Sequence, residues 1–368
     1  MTDASIDAVS TLGPGTLYDR VVSGEPVTLL DVRADADAAQ WNLPDRVDVR
    51  AHPAADMPAD GSLPGGPASG PVVVACAFGR TSRPIAADLD ALSLDGGYRG
   101  WTEFVERDTI ETGAATIRQY RRPATGCLSY AVVSDGEAVL IDPLESLVDT
   151  YLAAADRVVA AVDSHVHADH VSGVRSIASK TGATAMLPAG SLDRGVADRD
   201  RFAAVADGDR IAVGSTAIEA IHLPGHTTGM TAFRVGDVIL TGDSLFLNGV
   251  ARPDLESPEN AERAARDLVA SLTDRLFALS DVRIGPGHAT PPTLYRDGPL
   301  VDSIATVRDR LGSVDEVDAA VERIVGSTPP TPANHETIVS VNLGEQALDH
   351  DRRAEIELGP NNCAASGT

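Results

Sequence analysis

The feature that most constrains this chain is the run Ser164-His165-Val166-His167-Ala168-Asp169-His170, which directly follows the apolar stretch 158–162. This short run holds three of the nine histidines in the chain. The apolar stretch is typical of a buried strand, so the run would form the loop at its end. Neutral imidazole and carboxylate groups are ligands for zinc, iron and manganese. The run therefore predicts a metal site, and His165 and His167 would point the same way on an extended chain.

The same pattern returns three times downstream. An apolar, strand-like stretch ends in a glycine-containing turn that delivers a histidine or an aspartate, and these residues are His226, Asp243 and His288. Ligands at the ends of several strands are held rigidly over one cleft by the sheets beneath them. The agreement of four strand ends predicts one shared metal centre.

These segments, in this order, resemble the metallo-β-lactamase fold superfamily. The resemblance covers roughly residues 115 to 345 and is closest to the branch of the persulfide dioxygenases and the hydroxyacylglutathione hydrolases (glyoxalase II). Val166, the segment 125–130 and the segment 249–255 favour the dioxygenase side of that branch. Arg252, in the last segment, is a candidate for binding a substrate carboxylate, because arginine binds carboxylates bidentately.

The first interpretation is a persulfide dioxygenase. The resemblance implies one Fe(II) per chain, held by His165, His226 and Asp243 in an arrangement that leaves positions for O₂ and for the substrate sulfur. The other ligand-type residues would orient the iron ligands and handle protons, with Asp169 as a candidate catalytic residue. They are His167, Asp169, His170 and His288.

The second interpretation is a thioester hydrolase of the glyoxalase II type with two Zn(II) ions, bridged by Asp243, and a bridging hydroxide as the nucleophile. The resemblance assigns three residues to each ion. They are His165, His167 and His226 on one, and Asp169, His170 and His288 on the other. A third interpretation, a carrier that only binds thiosulfate or polysulfide, leaves the ligand set without a role.

The N-terminal part, residues 1–110, reads as a small α/β domain. Apolar strands at 26–33 and 72–75 frame a long loop, and the second strand ends at Cys76. A thiol in a strand-to-helix loop lies near backbone N–H groups, which lower its pKa and bind anions. Arg80 and Arg83 add positive charge beside Gly79.

These residues resemble a rhodanese domain, through Leu30-Asp31-Val32-Arg33, the loop 76–82 and the segment 96–101. The resemblance implies that Cys76 carries sulfane sulfur as a persulfide, with Arg80 catalytic and with Gly79 and Arg83 binding the substrate. Thr81 stands where many rhodaneses have an arginine. A sulfur-transfer domain favours the dioxygenase, since thioester hydrolysis gives it no task.

Composition limits the partners. The net charge of −24, with a single lysine, argues against nucleic acid or an anionic membrane as a partner and indicates an acidic surface of the kind found in proteins from high-salt cytoplasm. Three cysteines without a CxxC pair suit a reducing compartment. We expect Cys127 to serve packing and Cys363, in a polar tail, to be non-catalytic.

The predicted organisation is therefore a rhodanese-like α/β domain over residues 1–110, a polar linker at 103–116, and an αββα metallo-β-lactamase-fold domain over residues 115–368. No apolar stretch is long enough to span a membrane, and the first residues lack a basic leader, so a soluble cytoplasmic protein is expected. Its partners would be a low-molecular-weight thiol persulfide or thiosulfate, and O₂. The sequence leaves homo-oligomer formation open.

Overall fold

The computed structural model describes residues 9–34, 41–312, 314, 316–328, 331, 334–349, 352–353 and 356–357. The predictions for the first eight residues and for Cys363 lie outside these ranges. None of the helices within them is both long enough and apolar enough to cross a lipid bilayer.

The N-terminal part folds around a five-stranded parallel sheet with the strand order β1-β5-β4-β2-β3. Its strands are β1 Thr11–Leu12, β2 Thr28–Asp31, β3 Asp48–Ala51, β4 Val72–Ala75 and β5 Leu92–Leu94. Its helices are α1 Pro14–Ser23, α2 Ser82–Asp88 and α3 Gly97–Glu103. The small α/β domain predicted from the alternation of strands and helices is present. The helix after Cys76 ends at Asp88, and β5 begins at Leu92.

The predicted linker at 103–116 was wrong. Its central part is strand β6, Glu106–Glu111, which pairs antiparallel with β7, Thr116–Arg121, along its whole length. Only Ile110 of this strand is buried, so the apolar alternation that would have marked it is almost absent. The backbone pairing with β7, rather than apolar burial, defines β6.

The remainder of the chain holds two larger sheets. The first has seven strands in the order β12-β11-β10-β9-β8-β7-β6. Beyond β6 and β7, it contains β8 Leu128–Ser134, β9 Glu137–Ile141, β10 Arg157–Val162, β11 Thr184–Pro188 and β12 Ala203–Val205. Strands β8 and β9 form a hairpin, and its turn residues Asp135 and Gly136 both have positive φ, as such tight turns require.

The second sheet has six strands in the order β13-β14-β15-β16-β19-β20, and β17 and β18 pair separately as a small hairpin. These strands are β13 Arg210–Val213, β14 Thr216–His222, β15 Thr231–Val235, β16 Val238–Gly242, β17 Leu245–Phe246, β18 Gly249–Val250, β19 Arg283–Pro286 and β20 Asp302–Ser303. Strands β16 and β19 are parallel neighbours, so their carboxyl ends, which precede Asp243 and His288, lie side by side.

Helices cover the outer sides of both sheets. They are α4 Val148–Leu152, α5 Val174–Thr181, α6 Ala189–Leu192, α7 Ala261–Ala270, α8 Ile304–Leu311, α9 Val317–Gly326 and α10 His335–Asn342. Strand β10 shows the layering: Ala160 and Val162 join the core shared with the second sheet, whereas Ala161 joins the core under α4 and α5. The expected αββα sandwich is therefore confirmed, and α7 continues into a π-helical turn over Ser271–Leu276.

The N-terminal part packs directly on the sandwich. The ring of Tyr18 in α1 packs at a tilt against the ring of Tyr295, with centroids 5.7 Å apart. The Tyr295 hydroxyl donates to the carbonyl of Asn42 at 3.0 Å. The side-chain amide of Asn42 donates to the carbonyl of Pro123 at 3.1 Å. Buried residues of both parts belong to one continuous apolar cluster. The division into domains at 110 and 115 stays a prediction.

Candidate metal centre

Four strand ends converge at one edge of the sandwich. His165 follows β10, His226 follows β14, Asp243 follows β16 and His288 follows β19. Three of them, His165, His226 and Asp243, are buried, with ligand atoms that all lie within 4.8 Å of one another. Oδ2 of Asp243 is 3.9 Å from Nε2 of His165 and 3.8 Å from Nε2 of His226. The sequence therefore placed these three residues together correctly; we call them the triad.

The triad has the character of a metal site. Nε2 of His165 and Oδ2 of Asp243 are buried and have no hydrogen-bond partner, which is costly unless an ion satisfies them. Burial holds the pKa of His165 well below its usual value and lowers that of His226, so both imidazoles are neutral. Burial opposes ionisation of Asp243, but the histidines around it, His288 foremost, lower its pKa. Two neutral imidazoles and a carboxylate fit a divalent metal ion.

Hydrogen bonds on the far sides of the two imidazoles fix their orientation. Nδ1 of His165 lies 2.9 Å from Oγ of Ser164, which donates to Asp142 at 2.9 Å. Nδ1 of His226 donates to the backbone carbonyl of Arg252 at 2.8 Å. Such partners fix the ring and leave Nε2 free for a metal. Sequence analysis missed the role of Asp142, because its partner Ser164 lies 22 positions along the chain.

His288 lies between two carboxylates. Its Nδ1 is 2.8 Å from Oδ1 of Asp243, and its Nε2 is 2.9 Å from Oδ2 of Asp169. The preceding Gly287 is required here, because a Cβ at that position would lie 2.5 Å from Oδ1 of Asp243. Both ring nitrogens of His288 are thus bound to the side chains of the site.

His167, His170 and Asp169 form a second buried group. Nε2 of His167 is 3.1 Å from Oδ1 of Asp142, and Nδ1 of His170 is 2.8 Å from Oδ2 of Asp169. Burial lowers the pKa of both imidazoles, but the neighbouring carboxylates outweigh it. The pKa of His167 is raised well above its usual value, and that of His170 is raised to about 9. Nδ1 of His167 and Nε2 of His170 are buried and have no hydrogen-bond partner.

Cys127 belongs to this second group, which the sequence did not indicate. Its thiol donates to Oδ2 of Asp169 at 3.0 Å and accepts from the Thr125 hydroxyl at 2.9 Å. Backbone pairing of Cys127 with His288 brings it there. Cys127, Asp169 and His170 also have ligand atoms within 4.8 Å of one another. The expectation that Cys127 serves only packing does not describe these contacts.

Arg252 is buried, and its guanidinium binds a carboxylate of the chain itself. Nε and one terminal nitrogen each donate to a different oxygen of Asp254 at 2.8 Å. The same residue orients His226 through its backbone carbonyl. A role for this side chain in binding a substrate carboxylate stays a prediction.

In the N-terminal part, Cys76 lies at the end of β4 and is 5% exposed. Its Sγ is 3.4 Å from Oγ of Ser82. Burial raises the pKa of this thiol, but hydrogen bonds from Ser82 and from the backbone N–H groups of Phe78 and Arg80 outweigh it, and the pKa is lowered. A Cβ on Gly97 would lie 2.2 Å from the Cys76 carbonyl, so the loop requires a glycine there.

The side chains expected beside Cys76 differ in exposure. Gly79 is buried with a φ of 73°, Arg80 is exposed and Arg83 is half-buried. The backbone N–H groups of the loop thus face the thiol, and the exposed Arg80 places one cation on the loop surface. A rhodanese activity at this loop stays a prediction.

Comparison with known proteins agrees with this architecture. The family model described as Metallo-beta-lactamase superfamily matches residues 122–288. Persulfide dioxygenase ETHE1, mitochondrial, of Homo sapiens is 31% identical over 182 residues, which cover 47% of this chain and 67% of that protein. Hydroxyacylglutathione hydrolase of Anaeromyxobacter dehalogenans is 29% identical over 202 residues, 54% of this chain and 76% of that protein.

A solved structure shows the same fold. The metallo-beta-lactamase from Staphylococcus aureus subsp. aureus COL superposes with a TM-score of 0.57 over 65% of this chain and 75% of its own, at 24% identity. Buried ligand clusters and relatives of this kind indicate a metal-dependent enzyme, and the named relatives act on small molecules. The chain belongs to the metallo-β-lactamase superfamily.

Proposed function

We propose that this chain is a persulfide dioxygenase, which oxidises the persulfide of a low-molecular-weight thiol to sulfite at one Fe(II) ion held by the triad. The observation that carries the proposal is that the ligand atoms of the triad are available to an ion, whereas the ring nitrogens of His288 are not. Those of His165, His226 and Asp243 face one another, and two of them are unpartnered, whereas His288 has a carboxylate on each ring nitrogen. This arrangement favours one ion with three protein ligands.

Two histidines and a carboxylate on one face suit non-haem Fe(II), which leaves open positions for O₂ and a sulfur ligand. The ion would bring the two reactants together and supply the redox chemistry. In the overall reaction, persulfide, O₂ and water yield thiol, sulfite and two protons. The terminal sulfur is oxidised, the sulfur–sulfur bond breaks and O₂ is reduced.

The residues around the triad would orient the metal ligands and transfer protons. Asp142 and Ser164 orient His165, and His288 orients Asp243. Oδ2 of Asp169 accepts hydrogen bonds from both Cys127 and His288. Asp169 can therefore pass a proton between these two residues. We assign the catalytic role of Asp169 to this exchange.

The N-terminal part would supply or remove sulfane sulfur. A lowered pKa makes the Cys76 thiol a better nucleophile at neutral pH, and the N–H groups around it would stabilise a persulfide anion. Thiosulfate attacked by Cys76 would release sulfite and leave a persulfide on the cysteine. Transfer of that sulfur to a small thiol would give the substrate of the metal centre or remove excess sulfane sulfur.

One observation supports the alternative, a dinuclear zinc thioester hydrolase. Nδ1 of His167 and Nε2 of His170 are buried without partners, and a second ion would satisfy such atoms. Two metal ions with a bridging hydroxide would attack a thioester carbonyl. This candidate gives the N-terminal part no task.

The deciding experiment is metal analysis of protein purified without oxygen, combined with O₂ uptake after addition of glutathione persulfide. We expect about one iron per chain, O₂ consumption and sulfite formation. Asp243→Asn serves as the matched control, since it keeps the side-chain shape but removes the ligand charge. About two zinc ions per chain, no O₂ uptake and thioester hydrolysis would overturn the proposal in favour of the hydrolase.

A further inference from the structure

The loop that carries the metal-ligating run is held from behind by two buried side chains of the C-terminal part, Asn342 and Glu357. They are 6% and 1% exposed. Both lie beyond the segment 122–288 that matches the family model. Nothing in the sequence run 164–170 indicates that it needs partners so far along the chain.

Asn342 lies at the end of α10 and binds the loop backbone at three points. Its Nδ2 donates to the carbonyls of His167 and His170, each at 2.9 Å, and its Oδ1 accepts from the N–H of Ser172 at 2.9 Å. Only an amide side chain offers two donors and an acceptor in this fork. The two carbonyls flank Asp169, so one side chain fixes the turn that presents Asp169 to the site.

Glu357 binds the loop backbone at Val171, the residue before Ser172. Its Oε1 accepts from the N–H of Val171 at 2.8 Å, and its Oε2 pairs with Arg122 at 2.6 Å. Arg122 also donates from Nε to the carbonyl of Thr102 in α3, at 2.7 Å. A buried ion pair adds little net stability compared with apolar side chains. What this pair does is join the N-terminal part, the C-terminal segment and the ligand loop.

The other hydrogen bonds of the loop backbone lie at its two ends. Ser164 binds Asp142 and Thr231 at the first end, and Val171 and Gly173 bind Glu145 and Pro143 at the second. Residues 163–173 belong to no strand or helix, and these buried peptide groups need partners that hold them in one conformation. A loop free to shift would move His165 and His167 relative to His226 and Asp243, which come from the other sheet. Metal ligands must be held within about 0.5 Å to bind well.

We propose that Asn342 is a positioning residue for the metal centre, and that with Glu357 it makes the C-terminal part necessary for high metal affinity. The proposal rests on the proposed function only in that a metal binds at the triad. It depends neither on iron nor on the reaction.

The test is Co(II) binding to the metal-free protein, followed by the ligand-field absorption spectrum of the ion. Asn342→Ala should bind Co(II) about 10–100-fold more weakly, as is typical when an outer-sphere partner of the ligands is lost, and its spectrum should change shape. Asn334→Ala is the matched control. It also loses an amide hydrogen bond of this segment, a part-buried one to the carbonyl of Ile356, and not one to the ligand loop.

The urea unfolding of each metal-free variant separates positioning from folding. We expect the two variants to differ in metal affinity by far more than in unfolding midpoint. If Asn342→Ala does not fold, Asn342→Asp keeps the volume and the acceptor for Ser172 and removes both donations, and it should show the same loss. Co(II) affinity within twofold of the parent in a folded Asn342 variant, or an equal loss in Asn334→Ala, would overturn the proposal. Because Co(II) binding requires no turnover, a failure of the dioxygenase proposal leaves this test valid.

Discussion

Nδ1 of His288 lies 2.8 Å from Oδ1 of Asp243, and this contact leaves Oδ2 of the same carboxylate facing His165 and His226 without a partner. One histidine therefore decides which oxygen of Asp243 is available to a metal. It does so while its other nitrogen binds Asp169. This relationship distinguishes a residue that orients a ligand from a residue that is a ligand.

His288→Asn tests that distinction. With a single metal at the triad, we expect the metal count to stay at about one per chain and the affinity to fall about 10–100-fold, because Asp243 loses its orienting partner. Metal titration of the variant and the parent, with elemental analysis of both, measures the two quantities. A parent with two ions that falls to one in the variant would show instead that His288 is a ligand.

Arg252→Ala tests whether Arg252 serves the fold or the substrate. Removing it leaves the buried side of Asp254 unpaired, so we expect a loss of about 3 kcal/mol in unfolding free energy. The double variant with Asp254→Ala should recover part of that loss, since it removes the uncompensated charge as well. Urea unfolding of the parent, the two single variants and the double variant gives the coupling free energy between Arg252 and Asp254. A raised KM for an anionic persulfide at unchanged stability would support substrate binding instead.

The sequence marks the residues that converge at the candidate metal centre, because ligand-type side chains are concentrated there. The ligands of the triad each follow an apolar strand, and both periodicity and residue type mark them. Asn342, Asp142 and Cys127 carry no such mark, because the contacts that bring each of them to the site are with residues distant in the chain. Their side chains are ordinary in sequence, and only tertiary packing gives them a role.

The fold was predicted best where burial is two-sided. Strands β4, β10 and β16 read as apolar runs because both of their faces are covered. Strand β6, with one buried residue, was read as a linker, because backbone pairing leaves no trace in residue type. The pair of Arg252 with Asp254 was likewise not anticipated, although the two residues are only two positions apart.

Cys76 should react as a thiolate at lower pH than an ordinary cysteine. Because its pKa is lowered, the alkylation rate should reach half of its plateau at a pH below the ordinary cysteine value of about 8.5. Iodoacetamide labelling, followed by mass spectrometry of the Cys76 peptide, gives the profile. In Ser82→Ala the thiolate loses a hydrogen bond, so the midpoint should move upward. Profiles that match that of the urea-unfolded chain in both proteins would contradict the prediction.

The acidic surface should make stability depend on salt. A net charge of −24 repels itself in the compact state, and the Debye length falls from about 10 Å at 0.1 M to about 3 Å at 1 M salt. We therefore expect the urea midpoint of the metal-free protein to rise steadily with KCl concentration. A matched series at pH 5, where more carboxylates are protonated and the repulsion is smaller, should show a shallower rise. A midpoint that does not change with KCl at neutral pH would mean that the repulsion is already compensated, for example by the exposed arginine–carboxylate pairs such as Arg266 with Glu262 and Asp318.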